Sequence, residues 1–276
     1  MSDWRPRLIA SDLDGTLLRS DETISDETVA ELARWEDAGV PFVIATGRPP
    51  RWMHRIQERL GRGTAICSNG AVQLDLASFT WLDRHPLEPA VLAAVTAALR
   101  RRVPGTRFAV EYGDQFRHEP DYEPRWDVAV PGVAAAPLEE LVAQPAAKLL
   151  ARHERVTRDE FVTLVTEVVG ERATVTNSSH EALVEISARG VTKATGLAEV
   201  AAQLGVAPGE VVFFGDMPND LAAFGWVREG GGRAVAMANA RPEVLAAATD
   251  VTGSNDADGV AAFLAALPGA DFSARR

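Results

Sequence analysis

Short apolar runs alternate with longer amphipathic stretches along most of this chain. "RLIASD" (7–12), "PFVIATG" (41–47) and "TAICSNGA" (64–71) are compact, aliphatic and closed by polar or glycine positions, which predicts buried strands. Between the first two, "SDETVAELARWEDAGV" predicts a helix. Ser25 is its N-cap, Asp26 and Glu27 suit the positive end of the dipole, Val29, Leu32 and Ala33 form the stripe, and Gly39 is the stop. "RWMHRIQERLG" predicts a second helix. Continuous apolar strands separated by helices imply a parallel sheet covered on both faces.

The rhythm changes near residue 82. Up to residue 186 a helix ("EPAVLAAVTAALRR") is followed by paired strand candidates ("RFAVEYG", "QFRHE") and an irregular stretch over 119–137. A strand ("AAKLLARH"), a helix ("RDEFVTLVTEVVG") and two strands ("ATVTNSS", "ALVEISA") complete the segment. This mixture predicts an α+β insert. Helix–strand alternation returns with "TKATGLAEVAAQLG", "VVFFGD", "NDLAAFGWV" and "RAVAMAN". The expected organisation is an α/β, Rossmann-like core built from 1–81 and 187–276, interrupted by a second domain over 82–186. The tail "GADFSARR" is expected to fray.

Composition narrows the partners. The net charge of −11 lacks the basic footprint that non-specific nucleic-acid binding needs. No run approaches the roughly 20 apolar residues of a membrane span, and "MSDWRPR" has no signal-peptide core. The single cysteine, Cys67, excludes an internal disulfide and suits a reducing compartment. A cytoplasmic protein, monomeric or weakly self-associating, with no nucleic-acid or membrane partner is expected.

Ligands of open parallel sheets bind beyond the carboxyl ends of the strands. Four polar clusters lie there: Asp12 with Asp14, Thr46-Gly47-Arg48, Ser68-Asn69-Gly70, and Gly215-Asp216 with Asn219 and Asp220. Each alone reads as an ordinary polar turn. Together they are harder to explain that way. Asp12 and Asp14 are two apart at a strand end, a spacing that puts both on one face. With Asp216 and Asp220 they make an oxygen-rich cluster free of histidine, which favours Mg²⁺. In "GVTKATGLAEVAAQLG", Leu197, Val200, Ala201 and Leu204 mark a helix with Thr192 as N-cap. Lys193 then falls in its first turn, where a cation opposes the dipole. Lys193 and the helix terminus can jointly hold an anion, with the Thr46 loop adding donors. Metal, lysine, hydroxyl and carboxylate nucleophile together describe phosphoryl transfer. In the insert, His118, His153, Arg117, Arg125 and Arg152 are weaker candidates for reading a leaving group. His180, in the polar turn "NSSHEA", stands first among them.

The ordered set "SDLDGTLL", "ATGR", "SNGA", "VTKATGL", "GDMPND" and "VAMANA" resembles the haloacid dehalogenase superfamily, and within it the Cof-type hydrolases with an inserted cap of type IIB. The resemblance implies a Mg²⁺-dependent phosphatase for small phosphate monoesters such as sugar phosphates. Asp12 is implied as the nucleophile and Asp14 as the general acid/base. Thr46, Gly47, Lys193 and Asn219 are implied as phosphate ligands. Asp12, the Asp14 carbonyl and Asp216 are implied as metal ligands. Asp220, Arg48 and Asn69 are implied in support. A phosphomutase of the same superfamily and a non-catalytic phosphometabolite-binding regulator are the competing readings. "GDMPND" carries Pro218 and "VAMANA" carries Ala238 where the family often has other residues, yet no polar group is lost.

Overall fold

A computed structural model describes residues 4–124, 132–177 and 181–268. The chain opens with β1 (Leu8–Ser11), β2 (Phe42–Ala45) and β3 (Thr64–Cys67), followed by β4 (Val72–Asp75) and β5 (Thr80–Asp83). A second series follows: β6 (Arg107–Tyr112), β7 (Gln115–His118), β8 (Val133–Ala135), β9 (Lys148–Arg152), β10 (Ala173–Thr176) and β11 (Leu183–Ala188). The chain then returns with β12 (Val211–Gly215), β13 (Arg233–Ala236) and β14 (Asp250–Val251). The helices are α1 (Asp26–Asp37), α2 (His54–Leu60), α3 (Pro89–Arg102), α4 (Leu138–Leu141), α5 (Arg158–Val169), α6 (Lys193–Gln203), α7 (Leu221–Glu229), α8 (Pro242–Ala247) and α9 (Gly259–Ala265).

The first sheet has the order β14-β13-β12-β1-β2-β3-β4-β5. It is parallel from β14 to β3. Successive residues of β1 point to opposite faces. Leu8 and Ala10 pack with Leu197 and Val200 of α6 and Phe224 of α7. Ile9 packs with Leu32 and Trp35 of α1, Ile56 of α2 and Leu264 of α9. Burial on both faces explains the uninterrupted apolar strands. The parallel sheet is extended by an antiparallel hairpin, β4–β5, which the sequence reading did not assign. All of β5 is exposed, so "TWLD" has no apolar alternation to reveal it.

From β1 the chain moves outward through β2 and β3, and later returns to the other side of β1 through β12. The order therefore reverses between β1 and β12, and a crevice opens beyond their carboxyl ends. The second sheet, β10-β11-β9-β6-β7-β8, has α3 and α5 on one face, where Leu92, Leu99, Phe108, Phe161, Val165 and Ile186 share a core. Its other face carries Ala109, Phe116, Leu150 and Leu183. The irregular stretch expected over 119–137 lies partly outside the described residues, as does the tail. Among the described residues no helix is long and apolar enough to cross a membrane.

Candidate active site

Strand β1 ends at Ser11, and the chain enters a tight turn over Leu13–Leu17. Both aspartates keep extended backbone there, φ/ψ −62°/165° at Asp12 and −75°/125° at Asp14, but they differ in burial and partner. Asp12 is 4% exposed, whereas the Asp14 side chain is 55% exposed. Gly15 makes the turn with φ 73°, and a Cβ there would stand 2.4 Å from Asp216 Oδ2. Only glycine lets this backbone come so close to the acidic loop. Asp14 turns outward to Arg48, whose Nε donates to Oδ2 at 2.9 Å and whose Nη2 donates to Oδ1 at 2.5 Å.

Lys193 is the first residue of α6. Thr192 caps the helix: its side chain accepts from the Thr195 N–H, and Thr195 returns the bond to the Thr192 N–H. The cap fixes the lysine stem, and the buried Nζ stands 2.6 Å from Asp12 Oδ1 and 2.7 Å from Asp220 Oδ1. The other oxygen of Asp220 accepts the backbone N–H groups of Asp216 and Met217, both at 3.0 Å. Asp220 therefore organises the loop and balances the lysine. Asp216 Oδ1 accepts the Thr16 hydroxyl at 2.9 Å.

Three carboxylates around one ammonium leave the pocket short of positive charge. Burial pushes the Asp12 carboxyl well above its usual range, and Asp220 adds to this while Lys193 opposes it. Burial, then Asp220, raises Asp216 to about 7, against the Thr16 hydrogen bond and Lys193. For Lys193 burial works against the charge, but Asp12 and Asp220 outweigh it and hold the ammonium firmly protonated. Carboxylate oxygens of Asp12, Asp216 and Asp220 lie within 4.8 Å of one another. Such a set of hard, deprotonatable oxygens fits a divalent cation. Because both oxygens of Asp220 are engaged, Asp12 and Asp216 are the better side-chain donors.

The remaining expected residues fall around this centre. Thr46 is buried at the end of β2, and its Oγ1 accepts the Arg48 N–H at 3.0 Å. The Gly47 carbonyl accepts from Lys148 of β9. Asn219 Nδ2 donates to Asn69 Oδ1 at 3.2 Å, while its own Oδ1 is buried and has no hydrogen-bond partner among the described residues. His180 and Arg125 lie outside the described residues. The weaker insert candidates bond to carbonyls of the insert itself: Arg152 to Glu123, His153 to Pro104 and His118 to Glu119. The sequence reading missed Thr16, which "DGT" places one turn from Asp12. It also missed Lys148, Glu111 and Glu185, whose charges read locally as a solvated strand face.

A parallel core with its switch point over a lysine-centred carboxylate cluster, joined to a second α/β unit, defines a class of hydrolase. The profile of the haloacid dehalogenase-like hydrolases matches residues 9–264, and the chain belongs to that family. It is 29% identical over 270 residues to the 5-amino-6-(5-phospho-D-ribitylamino)uracil phosphatase YitU of Bacillus subtilis (strain 168), covering 95% of this chain and 97% of the relative. It is likewise 29% identical over 270 residues to the pyridoxal phosphate phosphatase YbhA of Escherichia coli (strain K12), covering 94% and 97%. The solved structure of the subclass IIB sugar phosphatase BT4131 shares the fold, core and cap together, with TM-score 0.77 at 21% identity over 93% of this chain and 97% of that one.

Proposed function

We propose that this haloacid dehalogenase-type phosphatase hydrolyses small phosphate monoesters, sugar phosphates or similar metabolites, through a phosphoryl group carried on Asp12. The observation that supports this most directly is the convergence of Asp12, Lys193 and Asp216 beyond the neighbouring strands β1 and β12. In this reading the expected segments 1–81 and 187–276 form the catalytic core and 82–186 the cap, with the first core segment carried on to Asp83 by β5 and the cap carried on to Ala188 by β11.

An Asp12 oxygen attacks phosphorus while the bond to the leaving alcohol breaks, and Asp14 gives that alcohol its proton. Water then attacks phosphorus, passes a proton to Asp14, and phosphate leaves Asp12 regenerated. Asp14 rests on Arg48, so it delivers a proton only after exchanging the guanidinium for the leaving oxygen. Lys193 balances the phosphoryl oxygens and keeps Asp12 in place. Thr46 Oγ1 accepts from Arg48 and keeps its own proton for a phosphoryl oxygen, with the Gly47 N–H and Asn219 beside it. Asp12, Asp216 and the Asp14 carbonyl would hold Mg²⁺, which supplies charge against the phosphoryl oxygens when bound. The two curated relatives take leaving groups as unlike as a ribityl-substituted uracil and pyridoxal, which supports assigning leaving-group choice to the cap.

Asp12→Asn tests the mechanism. With p-nitrophenyl phosphate and Mg²⁺ its turnover should drop to background while thermal melting stays that of the unaltered protein. Unchanged turnover would sink the reading. Interconversion of sugar phosphates without phosphate release would identify a phosphomutase instead. A panel of phosphorylated metabolites then locates the substrate.

A further inference from the structure

The cap sheet carries buried charge where it meets the core. Lys148 of β9, Glu111 of β6 and Glu185 of β11 are 2%, 3% and 5% exposed. Charges at the centre of a sheet are costly to bury unless paired, and these are paired with each other and with the core. Lys148 Nζ donates to Glu185 Oε1 at 2.6 Å and to the Gly47 carbonyl at 2.8 Å, and stands 3.6 Å from Glu111 Oε2. The other Glu185 oxygen accepts Asn69 Nδ2 at 3.1 Å, and Asn69 Oδ1 accepts Asn219 Nδ2 at 3.2 Å. Burial works against the Lys148 charge, but Glu111 and Glu185 outweigh it and hold the ammonium above the ordinary lysine value. Arg51 of the core reaches Glu111 Oε1 at 3.5 Å, so two cations face two carboxylates.

The core side of this contact is stiff. Ser68 and Asn69 both have left-handed backbone, φ 51° and 56°, which is costly for side-chain-bearing residues. The Asn69 N–H donates to the Thr46 carbonyl at 2.9 Å and the Ser68 N–H to the Arg48 carbonyl at 3.0 Å. A continuous circuit thus runs from Asn219 through Asn69, Glu185 and Lys148 to Gly47, leaving the core, entering the cap and returning beside Thr46 and Arg48.

We propose that Lys148 and Glu185 are positioning residues for the hydrolysis: through them, docking of the cap fixes Gly47 and Asn69, and with these Thr46, Arg48 and Asn219. The proposal rests on the phosphatase reading above. Neither residue touches the reacting atoms. Their effect is to tie the geometry of the phosphate loop to the closed cap, so that the site is complete only when the cap excludes water.

Lys148→Met and Glu185→Gln remove charge at nearly constant volume. On p-nitrophenyl phosphate each should lower kcat about tenfold or more, as small misplacements of a reacting group do. KM should stay within about threefold, because contacts of the loop to the phosphoryl oxygens act more strongly in the transition state than on the bound ester. The double variant should be no slower than the slower single, since both break one circuit. Unchanged kcat in a variant that melts normally, or losses that multiply in the double, overturns the proposal. Asp12→Asn measured alongside separates the two readings. Residual turnover there removes the mechanism, whereas a dead Asp12→Asn beside a fully active Lys148→Met removes only the positioning role. Hydrogen exchange of the unaltered protein gives an answer even if the variants misfold. Orthovanadate, a phosphoryl mimic, should slow exchange in peptides over 46–51 and 182–188 together; slowing in the first alone overturns the proposal.

Discussion

At the scale of single residues, Asp220 shows how a carboxylate can matter without reacting. One oxygen balances Lys193, and the other closes the loop that presents Asp216. Asp220→Ala leaves two loop N–H groups without their acceptor, while Lys193 keeps Asp12 and the repulsion among the carboxylates eases, so unfolding in urea should show a loss of about 1–3 kcal/mol. Asp220→Asn keeps an acceptor for those N–H groups and should lose less. Asp12, Lys193, Asp216 and Asp220 were all legible in the sequence: Asp12 and Asp216 follow strongly patterned apolar strands, Lys193 begins a capped helix, and Asp220 shares the acidic loop "GDMPND" with Asp216. The direction of Asp14 was not. It depends on a turn at Gly15 and on an arginine 34 positions away, and strand periodicity is silent on both.

At the scale of elements, local signals were read well. Ser25 accepts from the Thr28 N–H and Thr192 from the Thr195 N–H, as the capping residues predicted. The β4–β5 hairpin and β8 were not read: β5 and β8 are edge strands with little alternation, and β4, although Val72 and Leu74 alternate with Gln73 and Asp75, is only four residues long. The packing of α9 was not readable either, because its partners lie at the other end of the chain. Asp258, which opens α9, receives Arg19 Nε at 3.0 Å. Asp256 receives the N–H and hydroxyl of Ser20, both at 2.8 Å. The Arg19 hydrogen bond holds the Asp258 carboxyl below its usual range, and the Ser20 bonds do the same for Asp256. A depressed folded-state pKa contributes stability that is present above the unfolded value, about 3.9, and is lost as pH falls through the folded value. Melting temperature should therefore fall on acidification below about pH 4. Arg19→Met should lower it at neutral pH and flatten the acid limb, which a series of melts from neutral to acid pH would reveal.

At the scale of the whole molecule, the two-sheet architecture was visible as a change in rhythm, whereas the joint between the sheets was not. Lys148, Glu111 and Glu185 are distant in sequence from Gly47 and Asn69, and a charged strand face reads the same whether it meets water or another domain. The joint of β1 with β12 has a further consequence, for how the protein is made. Thr16 and Asp216, which meet across it, are 200 positions apart. Emerging from the ribosome, β1, β2 and β3 must wait with the edge of β1 bare while the whole intervening segment is synthesised. The cap sheet, drawn from one contiguous stretch, has no such wait. Long-range strand pairing is slow, and an open apolar edge invites other chains. Refolding from denaturant should accordingly show the cap's secondary structure before turnover returns, with yield falling as protein concentration rises. The strand arrangement that creates the crevice for catalysis also makes the nascent chain dependent on chaperones or dilution until its last third arrives.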